Sequence, residues 1–309
     1  MPNWNQVLQE IASQAANAQN RQDVSIAIDN VRKKYLDLLF QKTGRNVIAY
    51  YSGWLQKPGF LAAQLNDDDK NGFMMAVHTL ECHKGLDLIL HTPGGDIAAT
   101  ESIIDYLYQK FKNTNGDIDI RIIVPQLAMS AGTMIACSGC SILMGRQSNL
   151  GPIDPHLSNI PAHGVIAEFK RAYKEIKKDP AMISVWQFIL QKYNPTFLSA
   201  CENAIALSEE FIQKNLMSVM FKGERDAKKK AKAVVKYLTA YTDRKSHGRH
   251  ITVDECKSIK LKVTALEDDQ DLQDLVLTVH HCYMHTLSNT DAIKVIENHK
   301  GVAMMRLLS

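Results

Sequence analysis

Two glycines and a serine carry the chemistry that this chain could perform. Thr92-Pro93-Gly94-Gly95 and Ala128-Met129-Ser130-Ala131-Gly132 each follow an apolar run and precede a helix-like run. Glycine permits positive φ and close backbone approach, so a glycine pair at a strand end can turn N–H groups into one cavity. A serine at a helix N-terminus has the positive end of the helix dipole beside it, which favours an oxyanion forming there. These residues predict acyl transfer, with Ser130 as nucleophile and the Gly94 and Gly95 amides as oxyanion donors. Each motif alone has a plainer use, since serine is among the best helix N-caps and Gly-Gly makes tight turns. Their recurrence in successive strand-turn-helix units across residues 85–156 favours the site.

The elements that must position these turns are legible from periodicity. Residues 86–91 and 118–124 are apolar enough to be buried strands, each emptying into one of the turns. Residues 47–54 are β-branched and aromatic and predict another strand. Alternating strands and helices imply a mainly parallel sheet covered by helices, with active-site loops beyond the strand ends. Helical spacing marks two blocks between residues 4 and 40. It predicts a further helix over 72–83, preceded by Asp67-Asp68-Asp69, three aspartates suited to an N-cap and dipole role. After the irregular stretch 145–156 the chain reads as mostly helical. One long helix over 197–220 is expected to break near Ser208, Thr252 caps a short helix, and the tail 293–308 is partly extended. Three regions follow: a helical extension at 1–44, a catalytic core at 45–165, and a mainly helical part at 166–309 that completes the domain and makes oligomer contacts.

Composition excludes several classes. The chain has 309 residues, 45% hydrophobic and 22% charged, and a net charge of +3. That charge is too small to argue for nucleic acid as a partner. Six cysteines in this length do not form a disulfide scaffold, and Cys137-Ser138-Gly139-Cys140 lies in an apolar run where cysteine behaves as a small hydrophobe. His281 and His285 stand at i, i+4, but no Glu completes an H-E-x-x-H motif, so neither metal nor cofactor is expected. The polar N-terminus has no signal-peptide core, and no stretch is long and apolar enough to span a bilayer. A cytoplasmic location is expected, with peripheral membrane association as the alternative.

Thr92-Pro93-Gly94-Gly95, then Ala128-Met129-Ser130-Ala131-Gly132-Thr133, then Gly151-Pro152-Ile153-Asp154-Pro155 together resemble the Clp-type protease and crotonase-like superfamily. Within it they are most similar to the serine dehydrogenase proteinase family, relatives of signal peptide peptidase A. The matching core covers roughly residues 45–160, and the pieces 246–252 and 279–285 also resemble that family. The resemblance implies an α/β fold of repeated ββα units in a superhelix, a serine nucleophile at Ser130 and oxyanion donors at Gly94 and Gly95.

The same resemblance raises the question of the base, because a serine hydroxyl needs a neighbour to take its proton. Clp proteases place a histidine after the nucleophile helix and an aspartate later. Here the corresponding loop holds Asp154 and His156 in the reverse order, which fits the Ser, Asp, His order of the serine dehydrogenase proteinases. The two are separated only by Pro155, so His247, His250 and His280 remain alternatives. Signal-peptide-peptidase relatives use a Ser-Lys dyad, for which Lys170 or Lys174 would serve. The leading expectation is a serine endopeptidase acting on a peptide or protein substrate as a homo-oligomer. The alternatives are a non-catalytic assembly module on the same fold, and an acyl-CoA enzyme of crotonase type, against which Ser130 argues.

Overall fold

The computed structural model describes residues 4–157, 160–240 and 249–308. In chain order, α1 (Trp4–Gln14) and α2 (Arg21–Thr43) precede β1 (Asn46–Ser52). α3 (Asp68–His78), β2 (Leu86–His91) and α4 (Ile97–Lys110) follow, then β3 (Ile120–Val124), β4 (Leu127–Ala128), α5 (Ala131–Ala136), β5 (Ser141–Met144) and β6 (Asn149–Leu150). A short hairpin of β7 (His156–Leu157) and β8 (Ile160–Pro161) leads into α6 (Ala162–Lys178), α7 (Ile183–Leu190), α8 (Phe197–Asn215) and α9 (Ala227–Leu238). The chain ends with α10 (Val253–Ser258), β9 (Val263–Ala265), α11 (Gln270–Asn289), β10 (Ala292–Asn298) and β11 (Ala303–Leu307).

Every residue of β1 and β2 is buried, as expected of central strands covered on both faces. They lie in a seven-stranded sheet of order β11-β10-β1-β2-β3-β5-β9. From β1 to β9 the pairings are parallel, whereas β10 runs antiparallel to β1 and β11 antiparallel to β10. The period of two along β2 sends Leu86, Leu88 and Leu90 into a core shared with α4, α5, α8 and α9. Ile89 faces the opposite core, against α2 and α11. The protein is therefore a mixed α/β fold with helices on both faces of one large sheet.

Several elements differ from the sequence-based expectation. The helix expected over 72–83 is α3, which starts at Asp68 and ends at His78. Asp67 makes no side-chain cap bond, and Asp69 is buried, 1% exposed, in an ion pair with Lys294. The helix expected over 197–220 does not break at Ser208. Ser208 turns its hydroxyl to the Ile205 carbonyl within an unbroken α8, and the irregularity comes later as a π-helical turn at Leu216–Met220. The C-terminal third contributes three strands to the sheet, more than its helical periodicity discloses. Among the described residues, no helix is long and apolar enough to cross a membrane. Thr252 does cap α10, with Glu255 completing a capping box.

Candidate active site

The two small-residue turns are built against each other. Thr92 donates its N–H to Leu127 O at 3.1 Å and its carbonyl accepts from Met129 N at 3.0 Å, so the turns run side by side. Side chains would prevent this. A Cβ on Gly94 (φ +92°) would meet Met129 O at 2.6 Å, Ala131 N at 2.7 Å and Ser130 Cβ at 2.8 Å. A Cβ on Gly132 would reach Thr92 Cγ2 at 2.6 Å. Neighbouring backbone fills the space at Gly94, and the Thr92 methyl fills it at Gly132.

Ser130 sits at φ 52°, ψ −115°, outside the regions open to an L-residue without strain. Its side chain makes no capping bond to α5, so the ordinary N-cap explanation does not describe it. Such outliers cost about 1–3 kcal/mol and persist only where surrounding structure imposes them. Here the Ser130 carbonyl accepts from Thr133 N and Met134 N, and Gly132 N donates to Met129 O. The turn is thus pinned from its helical side. Sharp turns of this kind lift a serine Oγ out of the strand end and into reach of substrate. Ser130 is half-buried, and among the described residues its Oγ makes no hydrogen bond. It lines a cleft of about 940 Å³ together with Leu65, Gly94, Gly95, His156 and Leu207.

The main-chain donors around Ser130 sort themselves by their partners. Gly94 N donates to Thr92 Oγ1 at 3.1 Å. The Gly94 carbonyl accepts from Leu65 N at 2.8 Å, and Asp96 N donates to Leu65 O at 2.9 Å. This parallel bridge directs the Gly95 N–H away from Leu65. Among the described residues the N–H groups of Gly95 and Ala131 have no partner, and both flank the serine.

The segment carrying Asp154 and His156 is tied to the serine helix. Thr133 Oγ1 accepts from Gly151 N at 2.9 Å and lies 2.9 Å from the carbonyls of Ala128 and Gly151. Ile153 N then donates to Leu238 O at 2.9 Å at the end of α9. His156 is exposed on the cleft side, and its Nδ1 lies 2.8 Å from the main-chain carbonyl of Asp154. A carbonyl only accepts, so this contact assigns the proton to Nδ1 and leaves Nε2 as the basic nitrogen of the neutral ring. The Asp154 carboxylate is 3% exposed and turns elsewhere. Its Oδ1 accepts from His163 N at 3.4 Å, and its buried Oδ2 has no hydrogen-bond partner among the described residues.

His163 was missed by sequence reasoning. It stands nine residues past Asp154, in the first turn of α6, a spacing that gives no local signal. Burial lowers its pKa, opposed by the charges of Asp154 and Glu209, so its ring is neutral near pH 7. The structure places the other described candidate bases away from the cleft. Lys170 and Lys174 are exposed on α6 and do not line the cleft. His250 is exposed, and His247 lies outside the described residues. His280 is buried on the far face of the sheet, with Nδ1 3.3 Å from the Tyr51 hydroxyl and its ring 5.2 Å from His91. Burial drives the His280 pKa down to about 3 and that of His91 well below the ordinary value. His281 and His285 pack on Trp4, and His285 Nε2 lies 3.1 Å from the Trp4 carbonyl.

Comparison with known sequences decides the family. The sequence profile of the ClpP-like SDH-type serine proteinases matches residues 28–298. The chain belongs to that family. The match spans all seven strands of the sheet except the last, and both turns of the site. Two uncharacterized proteins of Methanocaldococcus jannaschii are similar to this chain. MJ0137 is 29% identical over 216 residues, 70% of this chain and 64% of that protein. MJ1495 is 26% identical over 196 residues, 63% of this chain and 58% of that protein. The aligned stretch thus spans less than two thirds of each relative. A 1510-N membrane-bound stomatin-specific protease is a structural neighbour at 17% identity and TM-score 0.39, covering 69% of this chain and 79% of the neighbour.

Proposed function

We propose that this protein is a serine endopeptidase in which Ser130 attacks the substrate carbonyl. The observation that carries the reading is the backbone of Ser130, a non-glycine residue held at φ 52° on a strand-to-helix turn that lines the cleft. Strain of that kind in a buried-walled cleft is what a poised nucleophile requires, and an N-cap has no use for it. The N–H groups of Gly95 and Ala131 are the proposed oxyanion donors. Gly94, whose own N–H is engaged by Thr92 Oγ1, gives the turn its shape. His156 is the proposed base, acting through Nε2, with the Asp154 carbonyl fixing the tautomer. The reaction then runs through an acyl-enzyme: the Ser130 proton passes to His156, the leaving amine recovers it, and water releases the acyl group. The substrate is a peptide or protein strand lying in the cleft.

The repeated ββα superhelix and a homo-oligomeric assembly belong to the same reading. Exposed Phe188, Tyr173 and Ile183 on the α6–α7 lobe supply apolar surface for subunit contact. Covalent labelling by a serine-reactive fluorophosphonate tests the nucleophile. Wild type should label and Ser130→Ala should not, whereas undiminished labelling of Ser130→Ala would overturn the assignment.

A further inference from the structure

We propose that Lys294 and Asp69 are positioning residues for the oxyanion wall, a role that rests on Ser130 being the nucleophile. Together they clamp the main chain on both sides of Leu65, and the Leu65 main chain in turn sets the Gly94–Gly95 turn.

The clamp is read from consecutive residues. Ser52 Oγ donates to Ala63 O. Lys294 Nζ donates to Gln64 O at 2.7 Å. Asn66 N donates to Asp69 Oδ2 at 3.0 Å. Residues 63, 64 and 66 are therefore each fixed from β1, β10 or α3, and Leu65 between them is left to bond outward. It does so to the glycine turn, donating to Gly94 O at 2.8 Å and accepting from Asp96 N at 2.9 Å. The contact is tight as well as hydrogen-bonded: a Cβ on Gly95 would lie 2.2 Å from Leu65 O and 2.4 Å from Leu65 N. Any displacement of Leu65 must therefore move Gly95, whose N–H is a proposed oxyanion donor.

The pair is built to hold, and its ammonium has no donor left for a ligand. Both side chains are 2% exposed. The ammonium has three protons, and three acceptors receive them: Gln64 O, Asp69 Oδ1 at 2.8 Å and Asp69 Oδ2 at 2.9 Å. Asp69 Oδ2 takes in addition the Tyr50 hydroxyl at 2.9 Å. A small cavity of about 200 Å³ borders the pair, yet neither ion has a free donor for a guest. Buried pairs contribute little net stability compared with apolar residues of similar volume, so a reason other than stability is needed for this one.

The test compares the 309-residue chain with three variants. Lys294→Met removes the cation, and Asp69→Leu/Lys294→Met removes both charges while leaving an apolar pair that can pack. Arg32→Met breaks a second buried pair on the same strand, Arg32 with Glu297, which lies on the far face of the sheet. The measurements are the rate of fluorophosphonate labelling, the melting temperature, and hydrogen exchange over residues 62–66 and 94–97. Both Lys294 variants should label roughly tenfold to a hundredfold more slowly, since misplacing a reacting group by about 1 Å costs that much. Exchange should quicken in both segments together. Arg32→Met should lose thermal stability yet label at close to the wild-type rate. A folded Asp69→Leu/Lys294→Met protein that labels like wild type would overturn the proposal, as would Arg32→Met slowing labelling equally. If wild type itself fails to label, the nucleophile assignment fails. The clamp is then judged by exchange alone, and unchanged exchange at 94–97 in Lys294→Met overturns it.

Discussion

The imidazole of His156 is fixed by the main-chain carbonyl of Asp154, 2.8 Å from Nδ1, while the carboxylate of Asp154 turns to the amide of His163. A neutral acceptor thus occupies the place where a carboxylate would orient the proposed base. It sets the same tautomer as a carboxylate would, but would lend less stabilisation to an imidazolium formed in the proposed attack.

Replacing His156 with alanine should lower kcat by about 10²–10⁴, the range for loss of a general base. His163→Ala should leave kcat within about tenfold and chiefly shift the pH profile. Steady-state cleavage of a peptide library by both variants checks this; a larger loss for His163→Ala would transfer the role of base to that residue.

Ser130→Gly should be inactive yet more stable than wild type. Glycine adopts φ 52° freely, so removing the strain should return about 1 kcal/mol. Ser130→Ala keeps the strain and should melt near the wild-type temperature. Denaturant titration of the two variants measures the difference directly.

Gly95→Ala should damage both stability and activity. The new methyl would meet Leu65 O at 2.2 Å, so the turn or the 63–66 segment must move. Overpacking of this kind costs roughly 1–3 kcal/mol, and losing one oxyanion donor costs about 10²–10³ in kcat. Labelling rate and melting temperature report the two effects separately.

Stability should fall in acid from the pair His91 and His280. Both folded-state pKa values are depressed by burial, that of His280 to about 3 against an ordinary 6.5. The unfolded chain therefore binds protons that the folded chain refuses. Stability is full above pH 6.5 and is lost progressively below it, by about 1.4 kcal/mol per pH unit for each ring, until the folded pKa is reached. Replacing His280 with leucine should flatten the dependence between pH 6 and roughly pH 4, as read by urea midpoints across that range.

What the sequence disclosed was local. Glycine pairs at strand ends and a Ser-Ala-Gly turn are read within a few residues, because the backbone geometry they permit is their own. The run Asp67-Asp68-Asp69 was read by the same local logic and misassigned in part, since the partner of Asp69 stands 225 residues further on. The His91–His280 contact and the strand β9, only three residues long beside a lysine-rich stretch, were hidden for the same reason. Position within a fold, once it depends on distant chain, leaves no periodicity to read.

That distance has a consequence for the order in which the molecule becomes complete during synthesis. Residues 46–136, with Ser130 and both turns, emerge well before β10 and can pair β1, β2 and β3 among themselves. Within the 62–66 segment, the Gln64 carbonyl and the Asp69 carboxylate lack their cation until Lys294 has left the ribosome. A chain stalled or truncated before β10 would carry Ser130 beside an unbraced Gly94–Gly95 turn, so on the proposed mechanism activity would await that strand.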